Sequence, residues 1–160
     1  MPVPPVRRAR RRRAGGRLRV AAGVSCALLV SALSGCSSTV TVTVPAQAAA
    51  CGSPSWPRTV GTAAARAVSV SSPAVAAWGD PAIVARCGLP ALTPTTDPCV
   101  TVDGVDWVAR QGRDATTMAS YGTNPAVEVR VPARYGPAPL LMPAFSAVAR
   151  ALPHTGHHCV

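Results

Sequence analysis

The sequence predicts a small α+β domain, with an antiparallel sheet of four to five strands, one or two helices on one face of that sheet, and disulfide bracing. Three observations support this fold class: a strictly alternating valine-rich segment, an Asp-Gly dipeptide between apolar flanks, and an amphipathic segment that opens on proline. The chain has 160 residues, which is enough for one modest domain.

The positive charge is concentrated ahead of this domain. The net charge is +10, all 16 basic residues are arginine, and eight of them lie within the first 19 residues. After residue 36, eight arginines face six acidic residues, so the remainder is close to neutral. Nucleic-acid binding requires clustered cations on the folded domain, and we therefore expect no nucleic-acid partner.

An export signal follows the basic region. The apolar stretch from Arg19 to Leu33 is shorter than the roughly 20 residues of a membrane-spanning helix. It ends in Leu33-Ser34-Gly35-Cys36, the pattern of a bacterial lipobox. We therefore predict a cleaved lipoprotein signal peptide at residues 1–35 and lipidation of Cys36, whose two acyl chains anchor the protein stably at the extracytoplasmic face of the cell membrane.

Alternatives to this leader remain open. The A-x-A sites in "PAQAAAC" would give a soluble secreted protein, and the basic flank is also compatible with an uncleaved anchor. Adjacent Arg7 and Arg8 leave the choice between the general and the twin-arginine export routes undecided. In the lipoprotein interpretation, residues 36–50 are the lipidated cysteine and a flexible tether, and residues 51–160 form a single globular domain. A short strand through Val40, Val42 and Val44 is the alternative for the tether.

Four cysteines remain after Cys36, and export into an oxidising compartment predicts two disulfides. Four cysteines allow three connectivities. We favour Cys87–Cys99, which closes a short loop, together with Cys51–Cys159, which ties the ends of the domain. One pair staying reduced is the alternative.

The first half of the domain contains three predicted elements. Residues Thr59–Arg66 predict a short helix that two preceding prolines limit. Residues Arg66–Ser72 alternate weakly, as an edge strand does, and residues Ala82–Gly88 form an apolar run that predicts a central strand.

The second half predicts a hairpin and the clearest strand. Asp103-Gly104 lies in the centre of Cys99–Val108, and this dipeptide tolerates the positive φ angles of a tight hairpin turn. Residues Ala126–Val131 alternate perfectly, which places the valines inside and the two charged residues outside.

A helix is predicted at the end of the domain. Pro143 suits its first turn, and one face of the segment up to Leu152 carries Phe145, Val148 and Ala149.

The order of these features resembles a family of actinobacterial lipoproteins catalogued as a domain of unknown function, 3515. The resemblance rests on "AWGDPAIVARCG" (Ala77–Gly88), "VDGVDWV" (Val102–Val108), "YGTNPAVEVRVP" (Tyr121–Pro132) and the terminal Cys159. It implies lipidation and an envelope location, without any established activity. Ala82, Ala85 and Thr123 depart from the family pattern, which puts a role for an arginine at position 123 in doubt.

The candidate ligand site is centred on Trp78-Gly79-Asp80-Pro81. Trp78 would offer a stacking ring beside the carboxylate of Asp80; the structural alternative is a turn with Trp78 in the core. Arg86 and Tyr121 are weaker candidates for binding a ligand or partner.

Catalytic and metal sites have little support. Asp80, Asp103 and Asp106 are candidate carboxylates for a hydrolase of envelope glycans or lipids, although the hairpin turn already accounts for Asp103. The chain has no lysine and no G-x-S-x-G motif.

"HTGHHC" places His154, His157 and His158 beside Cys159, but one short tail rarely closes a metal shell, so a mobile tail is the expectation. No cofactor and no metal are expected. The predicted function is therefore a non-enzymatic cell-envelope lipoprotein that binds a protein partner or wall precursor, and the alternative is the hydrolase.

Overall fold

The computed structural model describes residues 38–160. The predicted signal peptide, residues 1–35, and the predicted lipidation site Cys36 lie outside the described residues. The regular elements are β1 (Thr59–Val60), β2 (Ala63–Arg66), β3 (Val75–Trp78), β4 (Ile83–Leu89), β5 (Cys99–Val102), β6 (Val105–Gln111), β7 (Ala115–Tyr121), β8 (Ala126–Pro132) and helix α1 (Pro143–Arg150). Three short 3₁₀ turns cover Ala48–Cys51, Ala133–Tyr135 and Ala138–Leu141.

All eight strands form one antiparallel sheet in the order β1-β2-β3-β4-β8-β7-β6-β5. The chain first builds β1 to β4 as a meander, moves to β5 at the opposite edge, and returns through β6 and β7. Strand β8 then closes the sheet by pairing with β4, with Ala85 opposite Val129 and Arg86 opposite Glu128. The centre of the sheet therefore joins segments that lie far apart in the chain.

The predicted fold class was wrong because the sheet is large, with eight strands rather than the expected four to five. One α-helix packs on it, within the predicted one or two. Strands β3 and β7 escaped prediction because "VAAW" and "ATTMASY" show no regular alternation of apolar and polar residues. Alternation is expected only where one face meets water, and here both faces of the sheet are covered.

Two local predictions also fail. Residues Thr59–Arg66 form the β1–β2 hairpin instead of a helix, because Gly61, with φ +55°, turns the chain at their centre. The predicted edge strand Arg66–Ser72 is reduced to an isolated bridge between Val68 and Val40.

The strongest patterns are confirmed. Residues predicted as a central strand form β4, and Asp103 (φ 49°) and Gly104 (φ 74°) form the β5–β6 turn. In β8 the alternating valines are buried and Arg130 is exposed. Helix α1 begins at Pro143 as predicted and ends two residues before Leu152.

The core lies between the sheet and α1. Trp78, Trp107 and Phe145 are at most 1% exposed. Phe145 from α1 meets Trp78 from β3 edge to face, with 5.4 Å between ring centroids. Because such pairs add attraction beyond buried area, this contact fixes α1 on the sheet. We call this surface of the sheet the helix face.

The opposite surface, the outer face, is covered by three irregular segments. The outer face carries Val84, Arg86, Val108, Ala119, Glu128 and Arg130. The covering segments are the first part of residues 38–51, residues 90–98 and residues 154–160. Cys51, at the end of the first segment, packs instead against the core on the helix face. Small outward residues such as Val75 (4% exposed) and Ala77 (1% exposed) are consequently buried.

Residues 38–51 are therefore not a free tether. Val40 donates to the Ala67 carbonyl and accepts from the Ser69 N–H, both at 2.9 Å, and Val42 is 8% exposed. Gln47 donates to the Gly88 carbonyl at 3.1 Å. The predicted flexible segment is corrected to a docked one, because alternating valines let it add to the sheet surface. We call residues 38–51 the N-terminal strap.

The four cysteines form two disulfides, as expected, but neither of the favoured pairs, Cys87–Cys99 and Cys51–Cys159, is present. The bonds join Cys51 to Cys87 and Cys99 to Cys159, with Cα atoms 6.1 and 5.7 Å apart. Cys87 faces the core on β4, whereas Cys99 lies at the far edge on the outer face. A Cys87–Cys99 bond would have to pass through the sheet, so its short loop is no guide to pairing.

Within residues 38–160, no helix is both long and apolar enough to cross a lipid bilayer.

Candidate functional site: cavities of the outer face

Three cavities lie between the outer face and its covering segments. Their volumes are about 350 Å³ beside the N-terminal strap, about 270 Å³ beneath residues 89–93, and about 460 Å³ between residues 94–99 and the C-terminal tail. The first two share Glu128 in their walls. The outer face thus offers the main concave surface of the described domain, as ligand sites commonly require.

The strap cavity contains a charged floor. Arg86 on β4 forms a two-nitrogen ion pair with the Oε1 atom of Glu128 on β8, and it also donates from Nη1 to Thr43 Oγ1 at 3.0 Å. Arg130, two residues further along β8, is exposed at the rim of the same cavity. The Arg86–Glu128 pair is 30% and 21% exposed, so it remains accessible to a polar ligand.

The tail cavity is lined by an aromatic ring and polar residues. Tyr121 stacks on His157 with 5.7 Å between ring centroids, and it lines the cavity with His158 and Asp97. Arg110 donates from Nε to Asp97 Oδ2 at 2.7 Å. This hydrogen bond, followed by one from Thr95, lowers the pKa of Asp97. The cavity therefore keeps a negative group at its wall.

Asp106 fixes the C-terminal tail. Burial acts to raise the pKa of Asp106, but hydrogen bonds from Thr101 and the Cys159 N–H, with His158 nearby, bring it below the ordinary value. The Cys159 N–H lies 2.8 Å from Asp106 Oδ2, and His158 Nδ1 lies 3.6 Å from the same oxygen. The ionised carboxylate thus holds the tail together with the neighbouring disulfide.

Replacing Asp106 by Asn is expected to lower the free energy of unfolding by about 1–2 kcal/mol at neutral pH. The folded-state pKa is depressed, so this contribution is present above the ordinary carboxyl range and is lost as pH falls through the lowered value. Urea unfolding of both proteins, from neutral pH down to below the ordinary carboxyl range, measures this difference in the free energy of unfolding.

The matched control is Asp114→Asn, an exposed carboxylate in the β6–β7 turn, which we expect to change stability by less than about 0.5 kcal/mol. Equal stability of Asp106→Asn and the unmodified protein at neutral pH would contradict this role of Asp106.

Two of the predicted ligand residues lie elsewhere. Trp78 is 1% exposed, and its Nε1 donates to the Pro57 carbonyl at 2.9 Å, so it belongs to the core. The Asp80 side chain is 86% exposed in the β3–β4 turn and pairs loosely with Arg66 at 3.6 Å. A ligand stacked between Trp78 and Asp80 is therefore excluded, because the tryptophan ring is buried.

The other two predicted residues, Arg86 and Tyr121, both lie on the outer face and line two different cavities. The four candidates therefore do not form one site, but two of them identify the surface that carries the cavities.

The three acids proposed for hydrolysis do not share a cleft. Asp80 lies in the turn between β3 and β4, whereas Asp103 lies in the turn between β5 and β6, at the opposite end of the strands. The Asp106 carboxylate accepts hydrogen bonds from the Thr101 hydroxyl and the Cys159 N–H. A two-acid mechanism using Asp80 with either of the others lacks the short separation that it needs.

The three histidines occupy the docked tail. His154 pairs with Thr123 in an isolated bridge, and His157 packs on Tyr121, so the tail is held rather than mobile. Among residues 38–160, no three His, Cys, Asp or Glu side chains converge as metal ligands.

Sequence reasoning missed Glu128, Arg130 and Thr43 as site residues. The outward positions of Glu128 and Arg130 were evident from the alternation in β8. The ion pair between Glu128 and Arg86 was not evident, because β4 and β8 pair two residues that are 42 positions apart in the chain.

A family model described as "Protein of unknown function (DUF3515)" matches residues 18–156. No curated protein and no solved structure matches the chain.

Proposed function

We propose that this chain, which belongs to the family described as "Protein of unknown function (DUF3515)", is a non-enzymatic lipoprotein of the cell envelope. In this proposal Cys36 carries the lipid, the domain lies at the extracytoplasmic face of the membrane, and the outer face binds an envelope protein or wall precursor. The abundance of alanine and arginine and the absence of lysine fit an actinobacterial source.

The use of the cysteines carries the proposal. Both disulfides together occupy Cys51, Cys87, Cys99 and Cys159, which supports folding in an oxidising compartment. In this proposal Cys36, at the end of the lipobox pattern, takes part in no disulfide and carries the lipid. Two acyl chains suffice for stable anchoring without a membrane-spanning helix.

The outer face supports binding better than catalysis. The strap cavity, of about 350 Å³, combines a half-buried ion pair with an exposed arginine. These groups suit a ligand that offers both hydrogen-bonding groups and a negative charge, such as a carboxylate-bearing wall precursor. The hydrolase alternative is weakened because Asp80 and Asp103 lie at opposite ends of the strands and Asp106 already accepts hydrogen bonds from Thr101 and Cys159.

Replacing Cys36 by Ser is expected to move nearly all of the protein from the membrane fraction to the soluble or precursor fraction. Mass spectrometry of the unmodified protein should find an N-terminal peptide that begins at Cys36 with a diacylglyceryl group. Cys26→Ser, in the predicted leader, is the matched control and should leave both the peptide and the fractionation unchanged. An unmodified Cys36, or a mature N-terminus at an A-x-A site, would refute lipidation.

Binding at the outer face can be tested separately in living cells with a photo-crosslinking residue in place of Thr41, which is exposed and lines the strap cavity. A matched probe at Ala147, exposed on α1 at the other side of the domain, is the control. We expect a discrete adduct at position 41, identified by mass spectrometry, and its loss in Arg86→Gln. No adduct, or the same adducts from both positions, would contradict binding at the outer face.

A further inference from the structure

We propose that the anchored domain lies directly against the membrane, with the strand ends around the β3–β4 turn facing the phospholipid head groups. We call this end the turn end; it comprises the β3–β4 turn, the β6–β7 turn and the 3₁₀ turn Ala133–Tyr135. The inference rests on the proposed lipidation of Cys36 and adds an orientation to it.

The first argument is the length of free chain. The N-terminal strap is docked from Ser38 onward, since Arg66 Nη2 donates to both the carbonyl and the Oγ of Ser38. Two peptide units separate Cys36 from Ser38, and a fully extended chain spans about 7 Å over that distance. A lipid on Cys36 therefore cannot leave the domain far from the bilayer surface.

The second argument is that the strap is held at several points. Beyond Val40 and Gln47, Val42 N–H donates to Ser69 Oγ at 3.1 Å, and Cys51 is covalently joined to β4. At Gly88 the backbone of the strap passes so close that an added Cβ would lie 2.5 Å from the Ala48 nitrogen. A longer free chain between the lipid and the domain would require these contacts to break one after another, starting at Ser38.

The third argument identifies the end that faces lipid. Arg66, which holds Ser38, also donates from Nη1 to the Gly79 carbonyl at 2.9 Å, in the β3–β4 turn. Arg134 in turn donates to the Asp80 carbonyl, and the Ala133 N–H donates to the Asp114 carbonyl in the β6–β7 turn at 2.9 Å. Ser38 therefore enters the domain at the turn end.

The chemistry of the turn end suits anionic head groups. Arg113 and Arg134 are exposed there beside the exposed Asp114, and Arg66 accompanies the Asp80 carboxylate, so three arginines outnumber two aspartates at this end. The opposite end of the sheet carries the β5–β6 turn, where the Arg150 side chain donates a hydrogen bond to the Asp103 carbonyl. Cations near a surface of anionic lipid are attracted to it, which favours the orientation that the strap imposes.

Contact with lipid can be measured by fluorescence quenching of single added tryptophans. The full lipoprotein, purified in detergent, is reconstituted into vesicles of phosphatidylglycerol and brominated phosphatidylcholine. Ala133→Trp reports on the turn end and Ala151→Trp, just beyond α1, on the opposite end; both alanines are exposed. Asp114→Trp, exposed in the β6–β7 turn of the same end, replaces Ala133→Trp if that variant does not fold.

We expect brominated lipid to remove most of the added fluorescence at position 133 and none at position 151. Inserting a long Gly-Ser segment between Ser37 and Ser38 should abolish the quenching at position 133. Equal quenching at both positions, stronger quenching at 151, or no quenching with diacylglyceryl-Cys36 present would overturn the orientation alone. An unmodified Cys36 in the same sample would instead refute the proposed anchoring, and the orientation with it.

Discussion

Replacing Phe145 by Ala is expected to lower the free energy of unfolding by about 3–5 kcal/mol. The side chain is fully buried and forms edge-to-face contacts with Trp78 and Trp56, at 5.4 and 6.4 Å between ring centroids. The truncation leaves a cavity between α1 and the sheet that two large indole rings cannot readily fill. Denaturant unfolding followed by tryptophan fluorescence measures the loss.

Leu140→Ala is the control for Phe145→Ala, because that leucine is 74% exposed just before α1. Its expected effect is within about 0.5 kcal/mol. If both variants lost similar stability, α1 would not be anchored through Phe145, and the division into helix face and outer face would need revision.

Replacing Gly88 by Ala is expected to cost about 2–5 kcal/mol and to release the N-terminal strap. The residue has φ +110°, which L side chains adopt only with strain, and its added Cβ would lie 2.5 Å from the Ala48 nitrogen. The clash is with backbone, so no rotamer change relieves it. Hydrogen exchange should become faster at Val40 and Gln47, whose N–H groups the strap contacts protect.

Gly136→Ala separates the two causes of this cost. Gly136 also has a positive φ, +79°, but an added Cβ there meets nothing within 4 Å. We therefore expect only the conformational part, about 1–2 kcal/mol, and no faster exchange in the strap. Equal losses in the two glycine variants would mean that close packing of the strap at β4 contributes nothing.

The elements with one exposed side could be predicted from sequence. The valines of β8, the Asp103-Gly104 turn and the proline start of α1 each follow a local rule that the fold obeys. Strands β3 and β7 could not, because the covering segments bury their outward residues and thereby remove the alternation on which the prediction depends.

The pairings between distant segments were beyond local rules. Short loops favoured Cys87–Cys99, but β8 inserts beside β4 and leaves β5 at the far edge, on the other side of the molecule from Cys87. The same insertion brings Glu128 to Arg86 and so creates the charged floor of the strap cavity. The residue types were enough to name Arg86 and Tyr121 as candidate binding residues, but the side chains that surround them depend on which strands pair.

The Cys51–Cys87 bond also determines how the domain responds to mechanical load. A pull on the residues ahead of Ser38 would first shear the hydrogen bonds of the strap, which can break and re-form. Past Cys51, the tension passes through a covalent bond into β4, a central strand paired on both sides. Moderate tension would therefore detach the strap and lengthen the chain between the lipid and the domain, while the sheet stays intact. The cavities between the sheet and its two other covering segments would keep their shape.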